Sequence, residues 1–367
     1  ITVLPQLVPR ITNEKSYFDD NLKKLIKKCA MDHPHHTLPI LFSLKNSDKD
    51  KMILNTSGTI SGATQRSRAQ EPRVTAAQDM VTELAREDST LAAIIAQMEK
   101  MCDATISFAN YVPRTKEMRQ KIPAAEHIHR LGHLNAIPIP TVTIPVSVNC
   151  IYTHLPTIYS FENYFELVGG INCPKKITCR SSDGKSRILL IKGEDDLRQD
   201  AVMQQVFNIV NTLLENDPVT SRNKLLIRTY KVVPMSRRSG VLEWCEGTMP
   251  IGAYLTGAHT RYRSQDISPQ AARSKLGSLH EQRRPNQEKL AVFLKILKQF
   301  RPVFHYFFTE HYLDPVTWYE RRLAYTKSVA SSSMVGYILG LGDRHVQNIL
   351  IDKKNRRGCP HRFRYCI

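Results

Sequence analysis

Asp343 and Asn348, five positions apart, are the two side chains in this sequence best suited to joint chemistry. They lie in Gly340-Leu341-Gly342-Asp343-Arg344-His345-Val346-Gln347-Asn348-Ile349-Leu350, between glycines and a short apolar run. A carboxylate at Asp343 can accept or orient a hydroxyl proton, and the amide oxygen of Asn348 is a hard donor suited to Mg2+ or Mn2+. His345 is placed to donate a hydrogen bond to charge developing on a transferring group. Residues of these types at this spacing are what a phosphoryl-transfer centre calls for, where positioning and electrostatics supply most of the catalysis. Asp and Asn are also common turn residues, but Gly342, Arg344 and His345 in the same frame favour the catalytic reading.

Far upstream, Lys192 ends the apolar run Ile188-Leu189-Leu190-Ile191, just before the acidic stretch Glu194-Asp195-Asp196. A cation there can reach the phosphates of ATP while an acid steadies its ammonium. Asp195 and Asp196 have a plainer use as well, because acids at a helix start stabilise its dipole.

The elements that must position these groups follow from periodicity. Residues 1–48 read as helix, break, helix, with Phe18, Leu22, Leu25 and Ile26 on one side of a 3.6-residue period. The break holds Met31-Asp32-His33-Pro34-His35-His36. A helix-connecting turn capped by an Asp is expected there rather than a metal site, since no other ligand cluster lies nearby. Residues 49–74 are polar and read as a loop. From Thr75 to Asn110 the helical period returns through Met80, Leu84, Leu91, Ile94, Ile95 and Met98. Residues 111–150 look extended, with Pro138, Pro140 and Pro145 among Ile137, Ile139, Val142 and Ile144.

Beyond residue 150 short strands come first and helices afterwards, an α+β order. A strand–turn–strand pattern runs through Ile177, the turn Ser182-Asp183-Gly184-Lys185, and Ile188–Ile191. A helix starting near Asp196 is expected to turn Leu197, Val202, Val206, Ile209 and Leu213 inward. Strands are expected at Leu225–Val233 and Gly240–Trp244. Another helix is expected to bury Leu290, Phe293, Ile296, Leu297 and Phe300.

Bulk composition narrows the classes. Hydrophobic content of 41% with 23% charged residues is ordinary for a globular chain and argues against wholesale disorder. No apolar run reaches the ~18–20 residues needed to cross a bilayer. Eight cysteines without a Cys-x-x-Cys pair argue against zinc and against a disulfide framework, so a reducing compartment is expected. The net charge of +18 raises direct contact with nucleic acid as a minority reading, since the basic residues are dispersed and no recognition motif accompanies them.

Taken jointly, several blocks resemble the phosphatidylinositol-3-kinase-related protein kinases: Gly193-Glu194-Asp195-Asp196-Leu197-Arg198-Gln199-Asp200, Tyr230-Lys231-Val232-Val233-Pro234-Met235-Ser236, Ser239-Gly240-Val241-Leu242-Glu243-Trp244-Cys245, and Gly342-Asp343-Arg344-His345-x-x-Asn348. Leu323–Ala330 and Val335–Leu339 add to this, and the match spans about 165–351. The Met31–His36 block resembles the helical FAT region that precedes the kinase domain in this family. The resemblance implies a two-lobed, phosphatidylinositol-kinase-type catalytic fold: a FAT-like helical region at 1–110, a linker and the start of the N-lobe at 111–164, the N-lobe at 165–245, and a partial C-lobe at 246–351.

The same resemblance implies a serine/threonine protein kinase using ATP with Mg2+ or Mn2+. Lys192 would bind phosphate with Asp195 and Asp200 as orienting partners, and Lys175, after Gly170-Ile171-Asn172-Cys173-Pro174, would face the phosphates. Tyr230, Glu243, Trp244 and Cys245 would line the adenine side, Asp343 and His345 would act at the transferring phosphoryl, and Asn348 would hold the metal. Family partners would be protein substrates carrying Ser or Thr before Gln, DNA-damage sensor complexes and a second copy of the chain. The family setting is signalling from DNA double-strand breaks in the nucleus, with some cytoplasmic protein.

The basic stretch 352–367 departs from the family pattern, with no strand-like apolar run and no Asp-Leu-Gly or Asp-Phe-Gly element. Lacking that second metal ligand, the sequence is expected to be truncated and inactive alone, with an incomplete C-lobe. The rival readings are a dead nucleotide- or partner-binding fragment, a phosphatidylinositol lipid kinase, and a basic nucleic-acid-binding helical protein.

Overall fold

The computed structural model describes residues 1–50, 71–113, 115, 117–169, 172–342, 344–353, 365 and 366. The chain divides into two units, residues 1–206 with 230–244, and residues 207–229 with 245–367.

The first unit opens with helices α1 (Leu4–Leu7), α2 (Tyr17–Asp32), α3 (Pro34–Lys45), α4 (Glu71–Glu87) and α5 (Ser89–Asn110). In α2 the N-cap Ser16 accepts from the Asp19 amide, and Leu22, Ile26 and Ala30 form the buried stripe. Phe18 and Leu25 are exposed, contrary to expectation. At that end Asp19 takes the inward place, because it accepts the Thr12 amide at 2.8 Å and pairs with Lys23 at 2.9 Å. The turn into α3 is capped by His33 without a side-chain bond, and Pro34 supplies a first helical residue that needs no donor. Asp32, the expected cap, instead pairs with Lys28 at 2.9 Å.

In α4 and α5 the predicted apolar positions Met80, Leu84, Leu91, Ile94, Ile95 and Met98 are all buried. The loop expected at 49–74 gives way to helix at Glu71, and residues 51–70 lie outside the described residues.

The sheet of this unit begins earlier than the motif blocks suggest. Its strands are β1 (Arg119–Lys121), β2 (Gly132–Pro138), β3 (Thr157–Leu167), β4 (Lys175–Ser181), β5 (Ser186–Lys192), β6 (Val232–Pro234) and β7 (Gly240–Glu243). The order is β1-β3-β4-β5-β7-β6 with β2 also on β3, and every pairing is antiparallel. Strict alternation buries Lys175, Ile177, Cys179 and Ser181 along one face of β4. The helices and the sheet share one apolar core, in which Phe108 of α5 meets Phe165 of β3 edge-on at 5.3 Å. Leu225–Ile227, expected as strand, lies outside any strand.

Helix α6 (Leu197–Asn216) corrects a periodicity reading. Val202, Ile209 and Leu213 are exposed, whereas Leu197, Gln204 and Phe207 are buried. The inward side is chosen by amides: Gln204 Oε1 accepts from the Tyr230 N–H at 3.0 Å, and Asn211 exchanges two 2.8 Å hydrogen bonds with the backbone of Ile227. Those bonds satisfy a peptide segment that has no strand partner.

The second unit contains α7 (Pro218–Arg222), β8 (Thr248–Pro250), α8 (Ile251–Tyr262), α9 (Pro269–Glu281), α10 (Asn286–Gln299), α11 (Tyr306–His311), α12 (Pro315–Ile338), β9 (Leu350–Asp352) and β10 (Tyr365–Cys366). Its core is aromatic, built from Tyr254, Val303, Phe307, Phe308 and Tyr312 with Ile351. β8, β9 and β10 form a three-stranded sheet, so residues 365 and 366 pair as strand within the stretch that looked strandless in sequence. The face of α10 expected to be buried is largely exposed: Ile296 is covered, but Leu290 is 55% and Leu297 50% accessible.

Candidate active site

In the first unit the site residues cluster where β5 ends. Lys192 lies opposite Gly240 in the β5–β7 ladder. The next residue must be glycine, because a Cβ at Gly193 would stand 2.5 Å from the carbonyl oxygen of Ala109. Glu194 then takes a left-handed φ of 58° and turns the chain into the acidic segment. Lys192 Nζ stands 3.6 Å from Asp195 Oδ2, with both side chains partly accessible. Burial raises the Asp200 carboxyl above its ordinary range; Lys192 opposes that shift, while Asp195 and Asp196 add to it. Asp196 is committed elsewhere, in a two-pronged pair with Arg198 at 2.6 and 2.8 Å. Lys192, Asp195 and Asp200 are therefore brought together, and an ammonium held this way suits a polyphosphate.

Lys175 is a correction. Its side chain is 2% exposed, and Nζ donates to the Ala109 carbonyl at 2.9 Å above the Phe108 ring. Burial lowers its pKa to about 8. It ties β4 to the end of α5, its ammonium turned into the interior. The alternation of β4 turns it inward, and the unpaired carbonyls ending α5 provide the acceptor. Gly170 and Ile171 of the expected phosphate loop lie outside the described residues.

The Tyr230 N–H is held by Gln204, and its ring packs with Leu197, Val232 and Leu242. Glu243 is exposed at the end of β7, and its carboxylate accepts the Lys231 amide at 3.0 Å. Trp244 donates its backbone N–H to Ile188 at 3.2 Å, and the Lys176 ammonium lies 5.2 Å from its ring centroid, a cation–π contact. The Cys245 carbonyl, in the second unit, accepts from Thr248 Oγ1 at 2.7 Å.

The other predicted residues belong to the second unit, where the segment after Gly340 folds onto the start of α8. Ile251 N–H donates to the Ile349 carbonyl at 2.8 Å and Gly252 N–H to Val346 at 2.9 Å. A Cβ at Gly252 would stand 2.7 Å from Gln347 Nε2 and 2.9 Å from Val346 Cγ2, so a larger residue there would displace those two side chains. Within the turn the Asn348 backbone N–H donates to the His345 carbonyl at 2.9 Å, and His345 Nδ1 accepts from the Gln347 backbone N–H at 3.1 Å. His345 and Asn348 are exposed side chains on this pinned turn. Asp343 lies outside the described residues. Among the described residues, no group of three or more His, Cys, Asp or Glu could hold a metal. The exposed Asn348 side chain carries an amide oxygen of the type that serves as a hard-cation ligand.

Two groups escaped the sequence reading. Asp50, in the stretch taken for a polar loop, is buried among Ser236, Ser239 and Asn110. Asp352 is buried in β9 and pairs with Arg228 at 2.7 Å. The only sequence signal for the first was Ser236-x-x-Ser239, a turn-like spacing.

Residues 188–366 match the family described as phosphatidylinositol 3- and 4-kinase, and the match runs through the basic stretch after residue 351. Those residues form a kinase domain of that family. The chain is 47% identical to the serine-protein kinase ATM of Sus scrofa over 92% of its own length and 11% of that protein. It superposes on a structure titled "FAT and kinase domain of CtTel1" with a TM-score of 0.82 at 30% identity, covering 96% of this chain and 24% of that one. A structure titled "Complete CtTel1 dimer with C2 symmetry" matches with the same TM-score and identity, covering 96% of this chain and 13% of that one. The chain thus spans about a tenth of the length of the curated relative it resembles.

Proposed function

We propose that this chain supplies the catalytic domain of an ATP-dependent serine/threonine protein kinase of the ATM and Tel1 type. The observation that carries this reading is Lys192 at the end of an interior strand, 3.6 Å from Asp195, within a domain that matches the kinase family. Lys192 would hold the phosphates, with Asp195 and Asp200 steadying its ammonium. Trp244, Tyr230, Glu243 and the Cys245 backbone are the adenine-side candidates. Asn348 would contribute one ligand to Mg2+ or Mn2+, which neutralises phosphate charge when bound. Asp343 would take the proton of the substrate hydroxyl as that oxygen bonds to the γ-phosphorus and the bond to ADP breaks. His345 would stabilise charge on the phosphoryl oxygens.

The names of the relatives favour the protein-kinase branch over the lipid-kinase reading. The finer proposal is phosphorylation of Ser or Thr before Gln, in nuclear signalling from DNA double-strand breaks with damage-sensor complexes. Assembly as a homodimer is proposed by analogy with the Tel1 dimer.

The test is radiolabelled-phosphate transfer by the protein carrying this chain, offered a Ser-Gln peptide, a Ser-Ala peptide and phosphatidylinositol vesicles. Transfer to the Ser-Gln peptide, lost in both Lys192→Ala and Asp343→Ala, is expected. Transfer to the vesicles alone would establish the lipid-kinase reading instead. ATP binding without transfer to any acceptor would leave the dead-fragment reading standing.

A further inference from the structure

A buried carboxylate outside the candidate site is connected to it through two hydrogen bonds. Asp50 follows α3 in the helical region and is 1% exposed. Its Oδ1 accepts from Ser239 Oγ at 2.6 Å and Asn110 Nδ2 at 3.2 Å. Its Oδ2 accepts from Ser236 Oγ at 2.6 Å and the Arg238 backbone N–H at 2.9 Å. Four donors satisfy a charge that burial would otherwise make very costly. Three of the four come from the turn between β6 and β7 or from its last residue before β7, so the carboxylate fixes that turn.

The other side of the same turn faces the phosphate-binding candidates. The Arg238 carbonyl accepts the Asp195 N–H at 3.1 Å, and Asp195 pairs with Lys192. The turn leads into Gly240, the ladder partner of Lys192. Asn110, which helps hold Asp50, follows Ala109, whose carbonyl abuts Gly193 and accepts Lys175. The helical region thus reaches the Lys192 segment by two routes, one through Asp50 and one through the end of α5.

We infer that Asp50 is a positioning residue for nucleotide binding: it sets the Arg238 turn, the turn sets Asp195, and Asp195 sets the Lys192 ammonium. This rests on the reading of Lys192 as the phosphate-binding group. It also makes the helical region a determinant of ATP affinity, since any shift of Asp50 is passed to Asp195 through a short, directional chain of bonds.

Asp50→Asn is the informative change. Oδ2 of Asp50 faces the Arg238 backbone N–H, which cannot reverse its polarity, and Oδ1 faces the Asn110 side-chain NH2, which also donates to the Ile106 carbonyl at 2.9 Å. With its NH2 toward Arg238 the new amide meets a donor, and with its NH2 toward Asn110 it is accepted only if Asn110 flips and gives up the Ile106 carbonyl. In the protein carrying this chain, Asp50→Asn is expected to weaken ATP binding about tenfold, the size of one hydrogen bond to a charged group. The KM for ATP should rise by the same factor, with little change in kcat.

The decisive measurement is a double-mutant cycle with Asp195→Asn, read by nucleotide titration and by thermal unfolding. In the Asp195→Asn background, Asp50→Asn should alter ATP affinity less than about twofold while lowering Tm as much as it does alone. An equal loss of affinity in both backgrounds, or none in the parent, would overturn the positioning role. If Asp50→Asn does not fold, Ser239→Ala enters the same cycle with the same expected outcomes. Lys192→Ala separates the two readings. If it binds ATP like the parent, the nucleotide reading is wrong and the proposal falls with it. If it does not bind while the cycle is additive, only the role of Asp50 falls.

Discussion

Helices α5 and α10 both carry an apolar stripe at helical spacing, and they meet opposite fates. In α5 Leu91, Ile94, Ile95 and Met98 are covered by the neighbouring helices and sheet. In α10 Ile296 is buried while Leu290, Phe293, Leu294 and Leu297 are exposed within the second unit. The comparison teaches that a period of 3.6 residues establishes that a helix has an apolar face. Whether anything covers that face depends on its neighbours.

The largest test of this contrast is Phe165→Ala, which removes a fully buried ring from the first unit's shared core. It should cost about 3–5 kcal/mol in chemical denaturation. A loss below about 1 kcal/mol would mean that this core is no better packed than the α10 face.

The buried ammonium of Lys175 gives the next largest effect, as a dependence on pH. Its pKa is about 8 in the folded chain against an ordinary 10.5. Between those values the unfolded chain binds more protons, so stability rises with pH across that window and the unfavourable contribution is fully present below pH 8. The rise should approach about 3 kcal/mol and vanish in Lys175→Met, as read by denaturation at pH 7 and pH 10. An unchanged slope in the variant would place that lysine in solvent.

In the second unit, Arg228→Ala should cost about 2 kcal/mol by leaving Asp352 buried without its guanidinium. Arg228→Ala with Asp352→Leu should recover part of that loss, which separates the stranded charge from simple loss of packing. The smallest effect belongs to the open stripe. Leu297→Lys should change stability by less than about 0.5 kcal/mol, whereas Ile296→Lys in the same helix should be strongly destabilising. Similar losses at the two neighbours would contradict the exposure difference between them.

Much of the local architecture was legible in the sequence. The α4–α5 period, the Ser182–Lys185 turn, the strand ending at Lys192 and the glycine-bounded segment before Asn348 are properties of residues close together in the chain. The misreadings share a cause. In α6 the inward face is selected by Gln204 and Asn211, which bond to backbone lying outside any strand, so the rule of apolar in and polar out failed there. Lys175 looked available because a lysine is normally solvated, and a carbonyl at the end of a distant helix gave it a buried acceptor. Asp50 was hidden in a stretch whose composition suggested a loop.

Residue type and spacing, by themselves, determined the set of candidate catalytic groups: a strand-end ammonium next to acids, and an Asp-x-x-x-x-Asn segment with a histidine inside it. Such signals survive in sequence because each depends on chemical identity and on a few consecutive peptides. Tertiary structure alone decided which charges are spent inside the fold and which stay accessible. Burial and hydrogen-bond partnership are set by segments that stand far apart along the chain, as Asp50 and Ser239 do, and no local pattern encodes them.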